Sequence, residues 1–230
     1  MINWREYIFQ SSNIPLSTWL KVIYYFASDL QLYQIQNLIP ELSQKTLIMM
    51  TRKLRQRCAN EVEKMRNSLA FGGDVELVSN VEIDESAFGK KRKNNKGKKY
   101  QKKWVFGITE RNTNKVFFEV VDDRKKTTLL PIIRKYVSTH AVIHHDDWPS
   151  YRKLCDYGYK DMVVNHTKGF KGKDGACTNT IEGIWGVMKQ RITRMHGVKL
   201  ENLDEYLKEY TFRYHAKKAM LDELIKVLMC

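Results

Sequence analysis

Apolar residues recur at helical spacing before Phe71-Gly72-Gly73 and alternate as in β-strands after it. The paired glycines therefore read as a boundary between a helical segment, residues 1–72, and an α/β segment, residues 73–230. Leu16, Leu20, Ile23 and Tyr24 mark one helical stripe, which breaks near Asp29. Leu32, Ile35 and Leu38 mark a second, stopped at Ile39-Pro40 because proline excludes its predecessor from the α region. Ser43 then reads as the N-cap of a third helix carrying Arg52, Lys53, Arg55 and Arg57. Three helices ending in a basic one fit a helix-turn-helix that places its last helix in the major groove. They fit equally a helical packing domain with a solvated basic face.

Beyond the glycines, strands are expected at Val78–Asp84, Trp104–Thr109 and Lys115–Val121, the last two joined by the turn-forming run Glu110–Asn114. A helix from about Thr127 to Val137 follows, with Pro131 placed near its first turn. Then come a strand at Ala141–His145, a short helix through Tyr151 and Leu154, and a strand at Met162–Asn165. Helices begin near Asn179 and Leu203. With 43% hydrophobic residues there is ample material for a core. The order three strands, helix, strand, helix, strand, helix predicts an α/β sheet covered by helices.

The charge is lopsided: 40 Lys and Arg against 26 Asp and Glu, a formal +14. Such a balance calls for a polyanionic partner, most often nucleic acid. Residues 90–103, KKRKNNKGKKYQKK, hold nine Lys or Arg and no acid. This run reads as a solvated loop, a localisation signal, or an arm tracking phosphates with salt-dependent, sequence-independent affinity. No long apolar span points to a membrane, and Met1–Gln10 lacks the pattern of a secretory signal. The four cysteines are too scattered for a zinc clip and read as packed thiols of a reducing compartment: cytoplasm, or nucleus in a eukaryote.

Three acids stand where phosphodiester chemistry needs them. A two-metal site requires carboxylates from separate elements to converge on ions about 3.5–4 Å apart. Asp84 closes the run VEID, a strand end of the kind where open sheets place ligands, and also a position where a turn-forming aspartate is common. Asp146 continues the strand AVIHH, with Asp147 the better candidate to cap the following helix. His144 and His145 alternate faces, so at most one looks into the site. Glu182 begins a helix whose Ile181, Ile184, Trp185 and Met188 form an apolar stripe; Asn179 and Glu182 also make a capping-box pattern. Gly183 and Gly186 would permit close backbone approach. Lys189 lies seven residues after Glu182, about 10.5 Å along the same face, so the acid can reach metal while the cation reaches DNA.

The blocks VEIDES, WVFGITER, VIHHDDWPSY, NHTKGF and TNTIEGIWGVMKQR, in that order, resemble the DDE transposases of the Merlin-like group and their bacterial insertion-sequence relatives. The resemblance runs from Val81 to Tyr214, and 35 residues (147 to 181) separate Asp146 from Glu182. It implies a ribonuclease-H-like mixed sheet flanked by helices, and two Mg2+ or Mn2+ ions held by Asp84, Asp146 and Glu182. It also implies cleavage and joining of double-stranded DNA by at least a dimer. DNA contacts are expected from Lys189, Arg191, the arm residues Lys90, Lys91, Arg92 and Lys93, and Arg52 and Arg55 of the helical segment. Trp148 and Tyr151 either grip the strands or pack as core aromatics. The chain departs from some bacterial relatives in lacking a cysteine-rich zinc ribbon. The rival readings are a nuclease on the same fold and a domesticated DNA-binding protein.

Overall fold

A computed structural model describes residues 12–73, 79–89, 102–113, 115–164 and 177–229. The elements are α1 (Leu16–Ala27), α2 (Leu32–Leu38), α3 (Gln44–Arg66), β1 (Asn80–Phe88), β2 (Lys103–Glu110), β3 (Val116–Val121) and α4 (Lys126–Tyr136). After them come β4 (Val142–Asp146), β5 (Lys160–Val164), α5 (Asn179–Arg194), α6 (Leu203–Ala216) and α7 (Met220–Met229). Two units result: Met1–Asn67 with Lys208–Cys230, and Ser68–Leu207.

In the first unit Ser43 caps α3 as expected, its Oγ accepting from the Thr46 amide at 3.1 Å. The buried face of α1 is Trp19, Val22, Ile23 and Phe26, whereas Leu16, Leu20 and Tyr24 are 48%, 53% and 55% exposed. Both stripes have helical spacing; the one with Trp19 and Phe26 removes more apolar area from water and wins. In α2 only Ile35 is buried, with Leu32 and Leu38 exposed. Phe212, Met220, Leu224 and Leu228 complete this core, so the last 23 residues (208–230) join the N-terminal helices instead of the sheet. The expected 72/73 boundary accordingly moves to 67/68. Short-range periodicity carries no information on which core an amphipathic C-terminal helix will join.

The second unit is a five-stranded sheet in the order β3-β2-β1-β4-β5. The first three strands are antiparallel, while β4 runs parallel to β1 and β5 parallel to β4. This is the mixed, helix-flanked sheet of the ribonuclease-H-like class. On one face Val81, Ile83, Phe106, Ile108, Phe117 and Ile143 pack with Leu129, Ile133 and Tyr136 of α4. On the other face lies α5, through Ile181, Ile184, Trp185 and Met188. Pro131 falls in the second turn of α4, deeper in the helix than expected. Gly72 is the boundary glycine that matters: its φ is +69°, and a Cβ there would lie 2.4 Å from that of Ala141. No short α-helix follows β4; turns lead into a 3-10 turn at Leu154–Tyr157. Among the described residues no helix is long and apolar enough to cross a membrane.

Candidate active site

Asp84 does not end its strand. β1 continues to Phe88, paired with β2 throughout, so Asp84 sits mid-strand opposite Gly107. What ends near Asp84 is the pairing with β4, whose last recorded partners are Glu82 and His144. Continuing that parallel register by two residues sets Asp84 level with Asp146, the last residue of β4. The two expected aspartates thus come from adjacent parallel strands and share a sheet face. Burial pushes the Asp84 carboxyl from 3.8 up to about 7, and the charges of Glu85 and Asp146 add to the effect. The Oδ1 atom of Asp146 is buried and accepts no hydrogen bond.

Hydrogen bonds to two acids of β1 tie α5 to this face. The Trp185 Nε1–H donates to Asp84 Oδ2 at 3.0 Å. The indole rests where Gly107 has no side chain: a Cβ there would come within 2.6 Å of the ring. Gly107 is therefore the glycine of close approach, while Gly183 and Gly186 face open space. One turn earlier, Glu82 on β1 accepts from the Ile181 amide at 2.9 Å and from Thr180 Oγ1 at 3.0 Å. Glu82 is fully buried, and Arg111 Nε donates to it at 2.6 Å. The expected capping box is absent. Thr178 is the N-cap, and its hydroxyl donates to Glu182 Oε1 at 2.9 Å, leaving the exposed Glu182 tied to its own helix start. Glu82 and Trp185 were missed as site residues, though Glu82 had a signal: it lies two before Asp84, on the same face of a strand.

The opposite face supports the β4 end. Glu85 is buried, accepts from Arg124 Nη2 at 3.0 Å, and receives the Tyr151 hydroxyl. Arg124 lies 3.7 Å from the Trp148 ring centroid and 4.6 Å from that of Trp104. Trp148 Nε1 donates to the Arg124 carbonyl at 3.0 Å. Both Trp148 and Tyr151 are therefore packing residues. His145 Nε2 meets Asp161 at 3.2 Å and its ring packs on Tyr151. His144 faces Asn80 at 2.8 Å; burial, with Arg111 nearby, pulls it down to about 4, so it is neutral. Asp147 caps no helix and pairs with Arg152 at 3.2 Å.

Of the expected DNA contacts, Lys189 is exposed, its Nζ 5.8 Å from the Phe88 ring centroid, and Arg191 is half-buried on the same helix. Arg52 is exposed on α3. Arg55 is turned inward instead: its guanidinium pairs with Glu209 at 2.7 Å and its side chain is 12% exposed. That pairing engages the Arg55 guanidinium inside the first unit, on a carboxylate 3% exposed. Lys90, Lys91, Arg92 and Lys93 lie outside the described residues.

Among the described residues no three His, Cys, Asp or Glu side chains are grouped to hold a metal ion. The aspartate pair nevertheless suits one: a buried oxygen without a donor beside a carboxyl raised by burial and like charge is what a divalent cation would relieve. Residues 76–215, more than half of the chain, match the ISXO2-like transposase domain. An uncharacterized transposase-like protein of Haemophilus influenzae is 28% identical over 117 residues, covering 49% of this chain and 94% of that protein. A solved structure, a pre-cleavage Mos1 transpososome, overlaps 90% of this chain and 76% of its own, at 10% identity and a TM-score of 0.35. That overlap is too loose to carry detail across. With the family match spanning the mixed sheet and both aspartates, the chain belongs to the ISXO2-like transposase domain family of DDE transposases.

Proposed function

We propose that this transposase cleaves the ends of a mobile element and joins the freed 3′-hydroxyls to target DNA, with Asp84, Asp146 and Glu182 as its carboxylates. The observation that carries the reading is the alignment of Asp84 with Asp146 on neighbouring parallel strands beneath the helix that bears Glu182. Mg2+ or Mn2+ held by the two aspartates, with Glu182 completing the coordination, would activate the attacking oxygen and stabilise the leaving one. Trp185 would orient Asp84 by holding its Oδ2. Lys189, on the exposed side of α5, would hold a phosphate as a point charge, with Arg191 beside it. The exposed side of α3 carries Lys45 and Arg52 and suits a DNA groove or backbone. Pairing of two element ends calls for at least a dimer. The work is done where DNA is: the cytoplasm of a bacterium or the nucleus of a eukaryote.

Asp84→Asn, Asp146→Asn and Glu182→Gln, assayed separately on a DNA end with Mg2+, should each lower cleavage by at least roughly a hundredfold. Wild-type activity in any one removes that residue from the site. One observation favours a second reading, DNA binding without catalysis: Glu182 is bonded to Thr178, apart from the aspartates. Binding without cleavage or strand transfer by the wild-type protein would establish that reading; cleavage without joining would identify a nuclease.

A further inference from the structure

Glu82, which is not one of the three expected acids, is held by the fold at every turn of its carboxylate. Glu82 is fully buried and has three polar contacts through its two oxygens: Arg111 Nε, an ion pair, at 2.6 Å, Thr180 Oγ1 at 3.0 Å and the Ile181 amide at 2.9 Å. Arg111, at the β2–β3 turn, also donates to the carbonyl of Cys177, just ahead of α5. Its donors converge on it from α5 and from the β2–β3 turn, at the helix end where the dipole favours an acceptor. The N-cap residue Thr178 makes no side-chain cap bond, so an acid on the neighbouring strand does the capping.

The second contact between α5 and β1 is the bond from Trp185 to Asp84. The spacing of the two contacts matches. Ile181 to Trp185 is four helical residues, about 6 Å of rise. Glu82 to Asp84 is two strand residues, about 6.6 Å. α5 therefore runs alongside β1 in one register, and a slide in either direction breaks both contacts. Glu182 lies between them, one residue past Ile181 and three before Trp185.

We infer that Glu82, held by Arg111, is a positioning residue: it pins the first turn of α5 to β1 and so fixes Glu182 relative to Asp84. The consequence for chemistry rests on the functional reading above; the pin itself does not. Two measurements keep them apart.

The pin is tested without metal. Nitroxides on the exposed positions Val187 of α5 and His140 before β4 report the placement of the helix by pulsed electron resonance. Glu82→Gln, which keeps shape and loses charge, should broaden or shift the distance distribution, as should the milder Arg111→Lys if Glu82→Gln fails to fold. An unchanged distribution in a folded variant overturns the pin. The consequence is tested by Mn2+ titration calorimetry together with DNA cleavage. Glu82→Gln should weaken both by roughly tenfold, the size expected for loss of a residue that orients a ligand. In the Glu182→Gln background it should add little, because it acts through Glu182. Full additivity, or undiminished Mn2+ affinity in Glu82→Gln, overturns the link to Glu182. A wild-type protein that binds no Mn2+ overturns the functional reading and leaves the distance result standing.

Discussion

Asp84 is costly to keep as a charge. Its carboxyl is shifted from 3.8 to about 7, first by burial and then by Glu85 and Asp146. With the folded value above the unfolded one, the fold prefers the protonated form. The stability that protonated Asp84 contributes is fully present below about pH 4 and is lost as the pH rises through 7. Asp84→Asn removes the titration, so in metal-free buffer it should match wild type near pH 4 and gain on it up to about pH 7. By then its advantage should reach about 2 kcal/mol, discounted for partial exposure. Calorimetric melting at several pH values in EDTA measures this; parallel curves for the two proteins would contradict it. A buried acid that weakens its own fold is the pattern expected where charge must await a ligand.

Among the elements, α3 has divided duties. Leu47, Met50, Leu54, Cys58 and Val62 face the core, Arg55 reaches the buried Glu209, and Arg52 stays in solvent. Two neighbouring arginines of the same helix should therefore fail in different ways. Arg52→Ala should leave melting unchanged and reduce the salt slope of DNA affinity by about one. Arg55→Ala strips one cation from a carboxylate that keeps Arg213 at 2.7 Å, at a cost of about 1–3 kcal/mol. Anisotropy titrations across a salt series, run with thermal melts, separate the two. An Arg55→Ala variant that binds DNA with a flattened slope and melts normally would mean the helix presents another face. Counting charges along α3 cannot distinguish the pair, because the partner that claims Arg55 lies 154 residues away.

At the scale of the whole molecule, the chain from Lys208 onward, the later part of α6 and α7, belongs with the N-terminal unit's core. Phe212, Met220, Leu224 and Leu228 are buried there with Trp19, Met50 and Leu54. At roughly 1.5–3 kcal/mol for each buried side chain, these four contribute about 6–12 kcal/mol, as much as a small domain's entire stability. A chain ending at Leu207 should accordingly lose the folded state of residues 12–67. Far-ultraviolet dichroism would register the lost helix, and proteolysis would cut first within α1 to α3. An undiminished melting transition of that unit would disprove the dependence.

Much of this was legible in the chain. Element types followed from period, the mixed helix-flanked sheet from their order and from the family resemblance, and Asp84 and Asp146 were picked out as acids on strands. These are local properties: an alternation or a helical stripe is written in consecutive residues. Tertiary packing decided the rest. It chose which stripe of α1 is buried, closed the first core with residues 208–230, turned Arg55 inward, and covered the polar face of β1 with α5. That cover makes Glu82 a cap, Gly107 a seat for Trp185, and Trp185 a donor to Asp84. Each depends on residues some eighty to a hundred positions apart, and no local pattern states which of several chemically similar surfaces will meet.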